Sequence, residues 1–176
     1  MIVKKIDIED KSDFEFVQRI YVESFPPNER RPLPEFEDLI ASEKSFKVNV
    51  IFEDDKQVGF ITHWDFDTFI YVEHFAISAE YRNGGYGRKV MESFLAETTL
   101  PIVLEVELPN DEIAKRRIAF YERIGFKSWE IAYEQPPYEA KYKPLPMMLM
   151  THGNIDLKES FNLVKNSLYK KVYKAI

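Results

Sequence analysis

Apolar and polar positions change period several times along this 176-residue chain, and the changes divide it into elements. Residues 2–6 (IVKKI) alternate loosely and predict a short strand. Phe14, Val17, Ile20, Tyr21 and Phe25 recur at helical spacing, so a helix is expected over 14–24, capped by Ser12 or Asp13. Pro26, Pro27, Pro32 and Pro34 break it, because proline cannot continue a helix. A second short helix is expected at 35–41. Three strands follow as a meander, at 46–54, 57–65 and 68–78, turned at Asp54-Asp55-Lys56 and at Phe66-Asp67. A glycine-rich stretch leads into a helix over 85–98, whose apolar stripe is Val90, Met91, Phe94 and Leu95. Residues 102–108 (IVLEVEL) predict another strand, buried at its start. Asn110 or Asp111 is the expected cap of a helix that reaches Ile124 and is stopped by Gly125. FKSWEIAYE and PMMLMTH read as strands around the irregular loop QPPYEAKYKPLP. A closing helix is expected over 156–174, with Leu157, Phe161, Val164, Leu168 and Val172 on one side.

The order is therefore β-α-α-β-β-β-α-β-α-β-β-α. Hairpins followed by a βαβ unit predict an α+β fold, a mixed and mostly antiparallel sheet with helices on both faces. No repeat, low-complexity tract or composition shift divides the chain, so one domain over 1–176 is expected.

Composition narrows the function. Hydrophobic residues are 45% and aromatics 15% of the chain, enough for a sizeable core. The net charge of -6 argues against a nucleic-acid partner, which wants a basic face, and suits a cationic one. Absence of cysteine excludes disulfides, thiolate metal sites and cysteine nucleophiles. The N-terminal residues lack the apolar run of a signal peptide, and no stretch is apolar for long enough to span a bilayer. A cytoplasmic protein without a membrane partner is expected. His63, His74 and His152 lack the spacing of a metal site, so no metal is expected.

Chemistry concentrates at EYRNGGYGRKV, residues 80–90. Three of the chain's six glycines, Gly84, Gly85 and Gly87, stand at this strand-to-helix junction. Such a junction leaves main-chain N–H groups without helical partners, glycine lets a ligand approach them, and the helix dipole adds positive charge. The product is an anion site suited to phosphate, with Arg82, Arg88 and Lys89 alongside. An ordinary glycine turn with solvated basic neighbours explains the composition equally well. A P-loop is excluded for want of its sequence, and a dinucleotide fingerprint lacks its third glycine because Val90 stands there. Arg/Gln-x-x-Gly-x-Gly/Ala fits completely, as Arg82-Asn83-Gly84-Gly85-Tyr86-Gly87.

In that motif, and in RRIAFYERIGF (116–126) one strand later, the chain resembles the GCN5-related N-acetyltransferase (GNAT) family, over most of its length and in element order. The resemblance implies a sheet of about seven strands with a splayed central pair and acetyl-CoA as cosubstrate. It implies pyrophosphate held by the amides of Arg82, Asn83, Gly84, Gly85, Tyr86, Gly87 and Arg88. It also implies that Phe75, Ala76 and Ile77 pair with the pantetheine arm, the Ile77 amide serving as an oxyanion donor. Tyr121 is implied as the acid that returns a proton to the thiolate; a core tyrosine is the plain structural alternative. Ala114 stands where the family often has an asparagine that helps hold the pantetheine.

An incoming ammonium must lose a proton before it attacks. Glu73 is the first candidate base, because alternation places it on one strand face with Ile77 and sets His74 on the other. An exposed sheet glutamate is the alternative, and Glu105 and Glu107 are further candidates. The resemblance puts the acceptor between SFPPNERRPLPEF and EQPPYEAKYKPLP, the latter carrying Tyr138 and Tyr142. Glu29, Arg30 and Arg31 read as solvated surface. The expected acceptor is an amine of a small molecule or protein, and a homodimer through the closing helix is a further possibility. The competing class is a catalytically silent member of the same fold that binds coenzyme A or another ligand.

Overall fold

The computed structural model describes residues 2–6 and 10–175. Contacts divide the chain into two compact units, Met1–Thr99 and Leu100–Ile176.

In the first unit, strands β1 (Ile2–Lys5), β2 (Phe46–Glu53), β3 (Lys56–Asp65) and β4 (Ile70–Ile77) pair in that order, each antiparallel to the next. Helices α1 (Lys11–Ser24) and α2 (Leu33–Ser42) precede the meander, and α3 (Tyr86–Glu97) follows it. Asp10 caps α1, displacing the expected Ser12 or Asp13: its carboxylate accepts from the amides of both. Asp13 is instead buried, accepting from Lys4 Nζ at 2.9 Å and Gln57 Nε2 at 2.7 Å, and so ties α1 to β1 and β3. Helix α2 begins two residues ahead of expectation, with Pro34 inside its first turn, where a missing N–H costs nothing.

Aromatic packing sets the two faces of this sheet. Tyr21 of α1 stacks on Phe36 of α2 at 4.4 Å and meets Phe60 of β3 edge-on. Each is fully buried, and burying such a side chain stabilises by about 1.5–3 kcal/mol. The opposite face packs Ile51, Val58 and Val90 of α3 against Phe75, Ile77 and Tyr81. His63 of β3 meets Phe94 of α3 there at 5.1 Å.

One irregularity in β4 matters for the site. Thr62 pairs with His74 while the next residue, His63, pairs with Val72, so Glu73 is the extra residue of a β-bulge.

In the second unit, β5 (Ile102–Glu107), β7 (Leu145–His152) and β6 (Lys127–Gln135) lie in that spatial order, antiparallel. Helix α4 (Glu112–Arg123) is capped by Asp111, whose carboxylate accepts from the Ala114 amide at 2.8 Å. Gly125, at φ +93°, ends it in the left-handed conformation that glycine tolerates. Helix α5 (Leu157–Ser167) is shorter than the pattern predicts. It runs into a π-helical turn over Leu168–Val172, closed by Tyr173 N–H donating to Leu168 O at 3.1 Å. The apolar stripe continues through the turn: Leu157, Val164, Leu168 and Val172 are all buried. Among the described residues no helix is long and apolar enough to cross a membrane, and no cluster of His, Asp or Glu is placed to hold a metal ion.

Candidate functional site

The glycine turn has the geometry of an anion cradle. Gly85 sits at φ +75° and opens α3 without a side-chain cap. Asn83 is also left-handed, at φ +66°, a conformation asparagine tolerates better than most residues. Among the described residues, the amides of Asn83, Gly84, Gly85, Tyr86, Gly87 and Arg88 meet no acceptor within the chain. N–H groups left without partners at a helix start make a candidate anion site. Arg82 differs from the sequence expectation. Its amide is already engaged with Ala79 O at 3.4 Å. Its side chain folds back, Nε donating to Ile77 O at 3.0 Å and a terminal nitrogen to Ser24 Oγ at 3.4 Å. Arg88 pairs with Glu92 along the helix.

The end of β4 separates the three residues expected to meet a pantetheine arm. His74 N–H donates to Thr62 Oγ1 and Ser78 N–H to Val58 O, both toward β3. Main-chain groups alternate along a strand, so those of Ala76 also face β3, while those of Phe75 and Ile77 face the other edge. The Ala76 carbonyl does reach Gly59 of β3 so closely that a Cβ there would collide with it. Phe75 and Ile77 thus turn their main-chain groups away from β3, the Ile77 carbonyl accepting from Arg82, whereas Ala76 turns its own toward β3.

The bulge overturns the alternation read from sequence. Glu73 leaves the α3 face, where Phe75 and Ile77 lie, and joins His74 on the face covered by α1 and α2. Its side chain is 0% exposed. Arg31 donates a short hydrogen bond to Oε1, and Trp64 Nε1 donates to Oε2 at 2.9 Å. Burial alone would push this carboxyl up, but the Arg31 charge, with help from His74 and both donors, holds it below the ordinary carboxylate range. A buried carboxylate so held is a weak base. His74 lies beside it, Nε2 at 3.0 Å from Glu29 O, and burial holds its imidazole below the usual value. Arg31, expected on the surface, is 5% exposed. Sequence reasoning missed it because a Glu-Arg-Arg run after two prolines carries no periodicity to mark its inward member.

The second unit holds Tyr121 and the other two carboxylates. Tyr121 projects from α4, packed against Phe120 at 5.1 Å and Phe126 at 5.3 Å. Burial pushes its phenol up to about 12, Arg117 lowering and Glu107 raising it in smaller measure. Glu107 is ion-paired with Arg117. Glu105 accepts from Tyr133, through a short hydrogen bond, and from Tyr173 at 2.7 Å. The π-turn carries Tyr173 to Glu105, and Tyr138 packs on Tyr173 at 5.2 Å. Those phenolic partners were not legible: Tyr133 is 28 residues from Glu105, and Tyr173 is 68.

Element order and the open glycine turn after β4 define an α+β protein with a candidate anion site. Residues 44–128 match the family model of the acetyltransferase (GNAT) domain. A solved Bacteroides thetaiotaomicron structure that bears the name of an acetyltransferase from the GNAT family is 44% identical; the match covers 100% of both chains with a TM-score of 0.97. YjbC of Bacillus subtilis (strain 168), which carries an acetyltransferase name, is 29% identical over 154 residues, 76% of this chain and 77% of that one. An aminoglycoside 6'-N-acetyltransferase complexed with coenzyme A shares the fold, with a TM-score of 0.59 at 16% identity over 89% of this chain and 98% of that one. This chain belongs to the GNAT acetyltransferase family, and the α+β architecture expected from its sequence is that family's fold.

Proposed function

We propose that the chain moves an acetyl group from acetyl-CoA to a primary amine of a small molecule or protein by direct attack, residues 1–176 working as one acyltransferase domain. The observation that carries this is the row of six unclaimed amides from Asn83 to Arg88. Those amides fit a pyrophosphate, and the space beyond Gly85, where an added Cβ would meet nothing within 4 Å, leaves room for one. Bound there, acetyl-CoA supplies an activated acyl group. Ile77, its carbonyl fixed by Arg82, turns its amide to the ligand edge of β4 and can donate to a developing oxyanion. Tyr121 is protonated at neutral pH and donates toward the departing sulfur.

Deprotonation of the ammonium needs a carboxylate, and Glu73, the sequence-derived choice, is turned toward Arg31 and Trp64. Glu107 is bound to Arg117. Glu105, half-buried on β5, differs from both in being held by the neutral hydroxyls of Tyr133 and Tyr173 rather than by an arginine, and we assign the role to it. Glu105→Gln is expected to lower turnover and flatten the rate-versus-pH profile; the same flattening in Glu73→Gln alone would return the role to Glu73.

Acetyl-CoA at 100 times its dissociation constant stabilises a single-site protein by about 2.7 kcal/mol, which for a chain of this size is roughly 5–11 °C in Tm. No shift at millimolar concentration would remove the cosubstrate. Gly85→Ala tests the cradle. Alanine in the left-handed region costs about 1–2 kcal/mol, and its methyl projects where the ligand sits. A tenfold or greater loss of acetyl-CoA affinity, about 1.4 kcal/mol, is expected by calorimetry; unchanged affinity would place the pyrophosphate elsewhere. A panel of amines with free-thiol detection then names the acceptor, and the absence of thiol release with every amine would favour a silent binder.

A further inference from the structure

Residues 25–32, between α1 and α2, have no regular structure beyond a short 3₁₀ turn at Pro27–Glu29, yet they are pinned to the sheet at three points. The Phe25 ring meets His74 at 4.5 Å and Phe60 at 6.4 Å. Glu29 O lies 3.0 Å from His74 Nε2, where an imidazole N–H donates. Arg31 reaches Glu73 with its guanidinium, lies over the Trp64 ring at 5.7 Å, and donates its amide to the Tyr21 hydroxyl at 2.9 Å. The contact of Arg31 with Glu73 depends on the bulge; those with His74 follow from ordinary alternation. Without that extra residue Glu73 would point to the α3 face, away from Arg31.

A buried ion pair is a costly way to hold a loop. Desolvation of both charges offsets most of their attraction, and apolar residues of similar volume often do as well. What the pair adds is direction, because the planar guanidinium fork fixes orientation as well as distance. We propose that Arg31 and Glu73 form an ionic clamp that sets the path of residues 25–32 over the β4 bulge, making both of them positioning residues for the acceptor amine. This rests on the transferase reading and on the family resemblance, which puts the acceptor beside residues 25–32. Proline supplies the stiffness, Pro26 and Pro27 before the 3₁₀ turn and Pro32 at the cap of α2, and the clamp supplies the anchor.

The test compares wild type with Arg31→Lys, Arg31→Gln and the double variant Arg31→Gln/Glu73→Gln. The double variant removes both charges together and keeps an amide acceptor for Trp64, so it avoids most of the stability cost of a single-charge change. Amide hydrogen exchange over residues 25–32 is measured without cosubstrate, and KM, kcat and acetyl-CoA affinity are measured with the amine found in the panel. In the double variant, exchange across the segment and KM for the amine are each expected to rise at least about tenfold, the equivalent of 1.4 kcal/mol. Acetyl-CoA affinity should hold, and Arg31→Lys should recover part of the KM. Unchanged exchange and KM in the double variant overturn the clamp. A fall in kcat with a lost acid-side limb and unaltered exchange also overturns it, and makes Glu73 a base. If no amine is acetylated the transferase reading fails, and hydrogen exchange alone decides the clamp.

Discussion

Glu73→Gln is expected to lower Tm by roughly 6–20 °C, since removing one partner of a buried pair costs about 3–5 kcal/mol and each kcal/mol is worth about 2–4 °C in a chain of this size. The cost arises on the partner. Arg31 keeps its charge at any accessible pH, is 5% exposed, and would face a neutral amide where an anion had been. Arg31→Gln/Glu73→Gln should regain much of the loss, because neither charge is then stranded. The pH dependence has a definite sign. The folded-state carboxyl of Glu73 is held below its ordinary value by Arg31, against the upward push of burial. The pair therefore stabilises fully above the unfolded carboxylate value of about 4.3, and its contribution is lost as pH falls from there through the folded value. Tm of the wild type should drop across that acid range more steeply than Tm of the double variant. Equal slopes, or a Glu73→Gln variant as stable as wild type, would mean that the pair contributes nothing to the fold.

That prediction turns on a residue whose strand face was misread in the sequence, and the reason is local. Residues 70–77 show a clean strand pattern, and period-two counting from Ile77 puts Glu73 on the α3 face. A bulge is one inserted residue. It leaves composition unchanged and shifts every count made across it. Its partner strand shows no compensating mark in THW, residues 62–64. Helix starts suffered similarly: Asp10 and Asp13 are chemically equal caps, and tertiary contacts with Lys4 and Gln57 take Asp13 away. Elements fixed by local chemistry read well. Gly125 ends α4, Asp111 begins it, and the glycine turn opens α3 one residue from its expected start. The left-handed turn at Gly85 was legible because glycine spacing encodes backbone conformation directly. The clamp and the tyrosines around Glu105 were not, since each joins residues far apart in sequence.

Tyr121→Phe is expected to lower kcat by about 10²–10⁴, the usual contribution of a positioned acid, while acetyl-CoA affinity holds within about twofold, below 0.5 kcal/mol. The substitution removes one oxygen. Among the described residues the hydroxyl makes no hydrogen bond, and the ring contacts with Phe120 and Phe126 remain. Stability should therefore move by no more than about 1 kcal/mol, the usual size of a single-group change. Phenol and thiol acidities limit how the proton moves. With the phenol near 12 and an ordinary thiol near 8.5, full transfer in this environment is uphill by about 3.5 pK units, or roughly 5 kcal/mol. Tyr121 then acts mainly by hydrogen-bonding to sulfur as charge develops there, with Arg117 stabilising any phenolate that forms. Because the phenol stays protonated, its contribution should persist with rising pH up to about 12. A wild-type rate that collapses near pH 9 together with the rate of Tyr121→Phe would assign that limb to another group. An unchanged kcat in Tyr121→Phe would leave this tyrosine as core packing on α4, and the thiolate would be protonated by water or by a different side chain.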